Sequence, residues 1–186
     1  MRSRVLARVV VVCAAAVLAG AAFAWSEGTG NRAPQLALPF NEGAGSTIAD
    51  RSGNGNTGTR MSGGAWTVGK YGHGLSFDGA HDSATVRNAD TLAPSSAFTI
   101  ELWVYWNGAA HDTRLIEREG TTTGALHNYS LGITPANTLW LEFYTTRRGY
   151  SFQADSPTIT TGQWTHIAAT YDGAHAKLFL NGVEVR

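Results

Sequence analysis

Cysteine is nearly absent: the 186-residue chain has one, Cys13, and it lies inside an apolar N-terminal run. A chain without that run cannot form a disulfide and must rely on its core or on a bound metal. Charge is also scarce. Lys and Arg number 14, Asp and Glu number 14, and charged residues make up 15% of the chain. A zero balance excludes the basic footprint that supplies most nucleic-acid affinity. It equally excludes electrostatic attraction to an anionic membrane. Helical periodicity is missing after the first two dozen residues. No Gly-x-Ser-x-Gly elbow occurs, and none of the six histidines (73, 81, 111, 127, 166 and 175) forms a His-x-x-x-His pair. A nucleophile elbow and the usual zinc spacing are therefore both missing. His166, within a strand pattern, reads as a partly buried residue with satisfied hydrogen bonds.

What is present is glycine, 22 residues of it, between short β-branched and aromatic runs. Many short strands joined by Gly-rich turns indicate a sandwich or barrel. The N-terminus stands apart. Arg2, Arg4 and Arg8 precede the run Val9 to Gly20, followed by Ala22-Phe23-Ala24. A charged start, a short apolar stretch and a small-x-small site form the pattern of a secretory signal peptide over 1–24, cleaved after Ala24. The run is short for a membrane span, which needs about 20 residues. Cys13 is not at the cleavage point, as a lipid anchor would require. The expectation is a secreted protein with a linker over 25–34 and one domain over 35–186.

The domain is organised around Phe98 to Trp106, FTIELWVYW. Side chains alternate across a strand, so Phe98, Ile100, Leu102, Val104 and Trp106 form an apolar face. Thr99, Glu101, Trp103 and Tyr105 form a face that borders water or a groove. Further strands are expected at Leu36 to Phe40, Leu75 to Phe77, Ala84 to Arg87, Thr113 to Arg118, Tyr129 to Thr134, Thr138 to Thr145, Trp164 to Tyr171 and Lys177 to Leu180. Long loops are expected over Asn41 to Arg60 and Trp66 to Gly74, and one helical turn within Asn88 to Ala97. Asn181-Gly182 is a strong two-residue hairpin signal.

LALPFNEGAGSTIADRSGNGNTG, GKYGHGLSFDGAHDSATV, FTIELWVYW and QWTHIAATYDGAHAKLFLNGVEV occur in the order found in LamG-like jelly-roll domains. The chain resembles that family, part of the concanavalin A-like lectin/glucanase superfamily, over Leu36 to Arg186. The resemblance implies an all-β, antiparallel two-sheet sandwich of jelly-roll type. The family normally continues with two or three more strands after the hairpin at Asn181-Gly182, so the expectation is a domain lacking its last strands.

Three chemistries are conceivable. Glucanases of the superfamily place paired carboxylates on one strand. Here Glu101 stands alone on its strand, and Glu117 and Glu119 fall at a strand end, so no catalytic residue is assigned. Trp103, Tyr105, Trp140 and Tyr144 lie on the polar-containing faces of their strands, where aromatic rings stack on sugars or pack beneath loops. They are the candidate ligand-binding residues. Asp50-Arg51-Ser52-Gly53-Asn54-Gly55 spaces side-chain oxygens like half of a calcium loop. Asp50 and Asn54, with Asp78 or Asp172, are the candidate Ca2+ ligands, and the alternative is a set of Asx turns. The leading expectation is a secreted non-catalytic module binding a glycan or an extracellular protein. A polysaccharide-degrading enzyme or its appendage, and a structural module of a larger surface protein, are the alternatives.

Overall fold

The computed structural model describes residues 8–12, 16–24, 34–61, 63–87, 92–93, 97–118, 129–144, 149–153 and 157–186. Within these the chain is all-β. One sheet (sheet A) runs β13 (Gly149–Gln153), β12 (Leu139–Tyr144), β11 (Tyr129–Ile133), β10 (Thr113–Arg118), β1 (Arg8–Val12), β8 (Ser83–Arg87), β5 (Gly58–Arg60) and β4 (Thr47–Ile48). The other (sheet B) runs β16 (Val183–Glu184), β15 (Ala176–Leu180), β14 (Trp164–Tyr171), β9 (Phe98–Trp106), β2 (Ala16–Ala24), β7 (His73–Phe77) and β6 (Ala65–Val68). Strand β3 (Leu36–Leu38) lies beside β2 in line with β7. The pairings are antiparallel throughout.

The period-2 reading of β9 holds residue by residue. Ile100, Val104 and Trp106 are fully buried, Phe98 and Leu102 nearly so, and the intervening residues are half-buried. The same alternation runs along β12 and β14, so the inward faces of both sheets meet in one core. Phe98, Tyr129, Phe143 and Tyr171 form an aromatic cluster in it, with ring centroids 4.5 to 6.1 Å apart. Burial pushes the Tyr129 phenol far up, against the opposing effect of the Arg118 charge. Trp106 satisfies its buried N–H by donating to Asn137 Oδ1 at 2.7 Å. Asn181 and Gly182 both take positive φ, as a tight type I′ hairpin requires, and Leu180 pairs with Val183 across the turn.

Three expectations need correction. The stretch read as a loop over Asn41 to Arg60 contains β4 and β5, and Trp66 to Gly74 contains most of β6 and the start of β7. Strands β4, β5 and β6 are two to four residues long, too short for alternation to show them. A strand at Gly149–Gln153 was not expected at all. Apart from these, β1 and β2, which lie within the stretch of leader-like pattern, pair in the middle of the two sheets. The linker expected over 25–34 lies outside the described residues except for Pro34, and the helical turn within 88–97 is described only at 92–93 and 97.

Candidate functional site

The outer face of sheet B carries a row of rings that three separate stretches of sequence build together. Strand β9 presents Trp103 and Tyr105 outward because Leu102 and Val104 face the core. Strand β14 pairs with β9 so that His166 lies opposite Trp103 and Trp164 opposite Tyr105. The rings meet across the strands: Trp103 and His166 at 5.1 Å, Tyr105 and Trp164 at 5.7 Å. The turn between β6 and β7, closed by Gly69 N–H donating to the Gly72 carbonyl, supplies the third component. From its tip Tyr71, 67% exposed, stands nearly perpendicular to Trp103, with 5.9 Å between ring centroids. Lys70 Nζ lies 4.9 Å from the Trp103 ring and 5.9 Å from the Tyr71 ring.

Two polar groups border the row. His166 Nε2 lies 3.8 Å from Glu101 Oε2, and both side chains are partly open to solvent. Asn181 holds the β14 backbone at His166 on both sides: its side-chain oxygen accepts from the His166 N–H, and its own N–H donates to the His166 carbonyl. Around Trp103 the face therefore combines flat apolar ring surface, a perpendicular wall at Tyr71, the Lys70 cation and the Glu101 carboxylate. Such a surface can stack the C–H faces of a sugar ring and hydrogen-bond its hydroxyls.

Trp103 and Tyr105 thus share a surface, but Trp140 and Tyr144 do not belong to it. Those two residues lie on β12, on the outer face of sheet A. Trp140 is opposite Gly132 of β11, and its indole occupies the space that a side chain at Gly132 would need. Its Nε1–H is buried without a hydrogen-bond partner. The polar tip that would bind a ligand is turned away from solvent. Ser130, also outward-facing on β11, is fully buried, so this face is covered rather than open. Tyr144, at the end of β12, is 40% exposed. Lys70, Tyr71, Trp164 and His166 escaped sequence reasoning. Trp164 and His166 share the parity of an amphipathic strand and could have been found by alignment of its register with β9, whereas nothing in the sequence places Lys70 or Tyr71 against Trp103.

The candidate calcium residues are each engaged by their own turns. Asp50 Oδ1 accepts from the N–H groups of Ala37 and Ser52, and Oδ2 from the Ser52 hydroxyl and the Asn56 N–H. Burial pushes the Asp50 pKa up, but these four donors outweigh it and hold the carboxyl below its ordinary value. Asn54 donates to the carbonyls of Pro34 and Gln35. Asp78 accepts from the N–H groups of Ala80 and His81, and Asp172 from those of His175 and Ala174. Both carboxyls are lowered by these bonds. Among the described residues no three His, Cys, Asp or Glu side chains are grouped to hold a metal. Asp50, Asp78 and Asp172 each accept from backbone N–H groups two or three residues on, the bonds of the Asx-turn alternative. The Asp50 bond to Ala37 ties the Asn41 to Arg60 segment to β3, and the Asn54 bonds to Pro34 and Gln35 tie it to the residues just before that strand.

A concavity of about 420 Å³ lies at the β7–β8 turn and the β9–β10 loop. Asp78, His111, Asp112, Arg114 and Glu117 line it, and Arg114 pairs with Glu117 at 3.2 Å.

Comparison with known proteins places the fold. Domain 4 of AbnA, an extracellular GH43 arabinanase from Geobacillus stearothermophilus solved in complex with arabinotriose, is similar in structure, with a TM-score of 0.57 and 20% identity over 92% of this chain and 74% of that one. The binding domain of Paraclostridial Mosquitocidal Protein 1 is similar with a TM-score of 0.61 and 16% identity over 75% of this chain and 37% of that one. Pappalysin-1 of Mus musculus is 31% identical over 60% of this chain, and the match spans 8% of pappalysin-1. Residues 78–186, which carry β9, β14 and the ring row except for Tyr71 and Lys70, match the laminin G family description, and on that match the chain belongs to the concanavalin A-like lectin/glucanases superfamily.

Proposed function

We propose that this protein is a secreted, non-catalytic module that binds a glycan chain across the outer face of sheet B. The observation that carries the reading is the continuous ring row His166–Trp103–Tyr71, with Tyr105–Trp164 beside it, on a solvent-facing sheet surface. Rings on the neighbouring strands lie 5.1 and 5.7 Å apart and form one apolar patch with polar edges, the surface that sugar C–H faces stack on. The solved neighbours support a ligand-binding role: one is a toxin's binding domain and the other holds an arabinotriose.

On the ring face, catalysis by Glu101 is disfavoured by distance. Glycoside hydrolysis needs two carboxyl groups about 5 to 9.5 Å apart. Glu101 shares its face with Glu184, whose row runs through Phe179 and Ala168. Three strand spacings separate them, about 14 Å. Glu184 is moreover bound to Lys177 at 2.8 Å.

Export rests on Arg2, Arg4 and Arg8 and on the Ala22-Phe23-Ala24 site. Mass spectrometry of exported protein should show an N-terminus at Trp25, and an intact Met1 would refute it. The binding reading is tested with a glycan array followed by calorimetry on the hits. Trp103→Ala should weaken every hit while Trp140→Ala leaves them unchanged. Equal binding by both variants would remove the site from sheet B. Binding only to an extracellular protein, with no glycan retained, would favour the protein-partner reading.

A further inference from the structure

The turn that carries Lys70 and Tyr71 over Trp103 is held from outside the ring row. Gly72 in this turn has a φ of 77°, and a Cβ there would lie 2.5 Å from Asn41 Oδ1. Asn41 occupies the space that glycine leaves free, and its Oδ1 accepts from the His73 N–H at 3.0 Å. Two residues on, Gly43 has a φ of 68° and packs so closely on the His73 ring that a Cβ would lie 3.0 Å from it. The segment 40–43 thus meets the end of the turn at two places. That segment is itself fixed. Phe40 is fully buried and has a φ of 56°. Of the non-glycine residues described with positive φ, Asn137 and Asn181 are of the type that accepts it readily, whereas Phe40 is not. Strain of this kind persists only where the surroundings over-determine it, and it concentrates at functional sites. Here burial of the Phe40 ring holds the strained backbone, and the next residue, Asn41, is left exposed beside the turn. Glu42 Oε1 accepts from the Ala49 N–H at 3.0 Å and fastens the segment on its other side.

We propose that Asn41 is a positioning residue of the ring face: anchored by the strained, buried Phe40, it locks the β6–β7 turn so that Tyr71 and Lys70 stand ready over Trp103 before a glycan arrives. An exposed turn with a large ring at its tip would otherwise sample many positions, and a glycan would have to order it on binding. The lock removes that cost in advance. Gly72 belongs to the lock because any side chain there would expel the Asn41 oxygen. The role of the lock in binding rests on the glycan reading, whereas the lock itself can be read without any glycan.

Amide exchange read by mass spectrometry on the purified, glycan-free protein tests the lock first. Asn41→Ala and Gly72→Ala should both speed exchange across 69–74. Asn41→Asp keeps the acceptor oxygen and should not. Calorimetry with the array glycan that wild type holds most tightly then tests the role. Asn41→Ala should weaken binding about fivefold, the equivalent of one hydrogen bond that the glycan must now make good by ordering the turn. Tm should barely move, and Asn41→Asp should restore the wild-type affinity. In a Tyr71→Ala background Asn41→Ala should cost little further, because the wall it positions is gone. Unchanged exchange over 69–74 in Asn41→Ala would overturn the lock. A loss that stays as large without Tyr71 would overturn the positioning role. Faster exchange in Asn41→Ala, with affinity indifferent to Trp103→Ala, would refute the glycan reading while upholding the lock.

Discussion

The two outer faces of the sandwich look alike in sequence and differ in structure. Strand β9 has Glu101, Trp103 and Tyr105 outward, and β12 has Trp140, Glu142 and Tyr144 outward. Each is an aromatic-and-carboxylate face opposite a wholly apolar one. On sheet B the neighbour of Trp103 is His166, which adds a ring and a polar group, and the β6–β7 turn brings Tyr71 and Lys70 over it. On sheet A the neighbour of Trp140 is Gly132, which adds nothing and lets the indole settle onto the backbone. The cross-strand partner thus decides whether an outward tryptophan is a platform or a filler.

The largest expected effect is on binding. Trp103→Ala should cost about 1–3 kcal/mol of glycan affinity, the usual range for a stacking platform. Trp140→Ala should leave affinity within error and lower stability instead. Calorimetry and thermal melts on both variants would separate the faces, and affinity loss in Trp140→Ala would erase the distinction.

Filling the space at Gly132 breaks the comparison from the other side. Gly132→Val must displace the Trp140 indole or the Thr113 carbonyl region, and overpacking of this kind costs about 1–3 kcal/mol. Tm should fall while glycan affinity stays constant. An unchanged Tm would show that the indole is free to leave.

Asp50 provides a control remote from both faces. Asp50→Ala removes the acceptor for four donors and should cost about 1–2 kcal/mol. The folded carboxyl binds its proton less tightly than the unfolded one. Its stabilisation is therefore present at neutral pH and is lost as pH falls from the ordinary carboxylate range through the lower folded value. Asp50→Asn should flatten that acid limb of the stability curve. Calcium and chelator should leave the melting curve unmoved, and a calcium-dependent rise lost in Asp50→Ala would restore the cation reading of this loop.

The smallest effect belongs to Lys70. Its charge lies over Trp103 at the surface, where such contacts contribute about 0.5–1 kcal/mol. Lys70→Met should change neutral-glycan affinity little and lower affinity for a carboxylated glycan, most visibly at low salt. Equal affinities for the two ligand classes in wild type and variant would assign Lys70 a packing role only.

The sequence by itself determined the strands that alternate. Parity along Phe98 to Trp106, Leu139 to Tyr144 and Trp164 to Tyr171 decides which side chains enter the core, because a one-residue slip would expose the whole apolar set. It also determined the Asn181-Gly182 hairpin, since few other residue pairs accept two successive positive φ angles. Tertiary structure alone decided the rest. Short strands such as β4 and β5 exist because neighbours offer them hydrogen-bond partners, not because their own two or three residues have a pattern. The pairing of β1 and β2 with strands of both sheets is likewise nothing that the apolar run after Arg8 specifies by itself. The site is non-local for the same reason. Tyr71, Trp103 and His166 are far apart in the chain, and only sheet register and the β6–β7 turn bring their rings together.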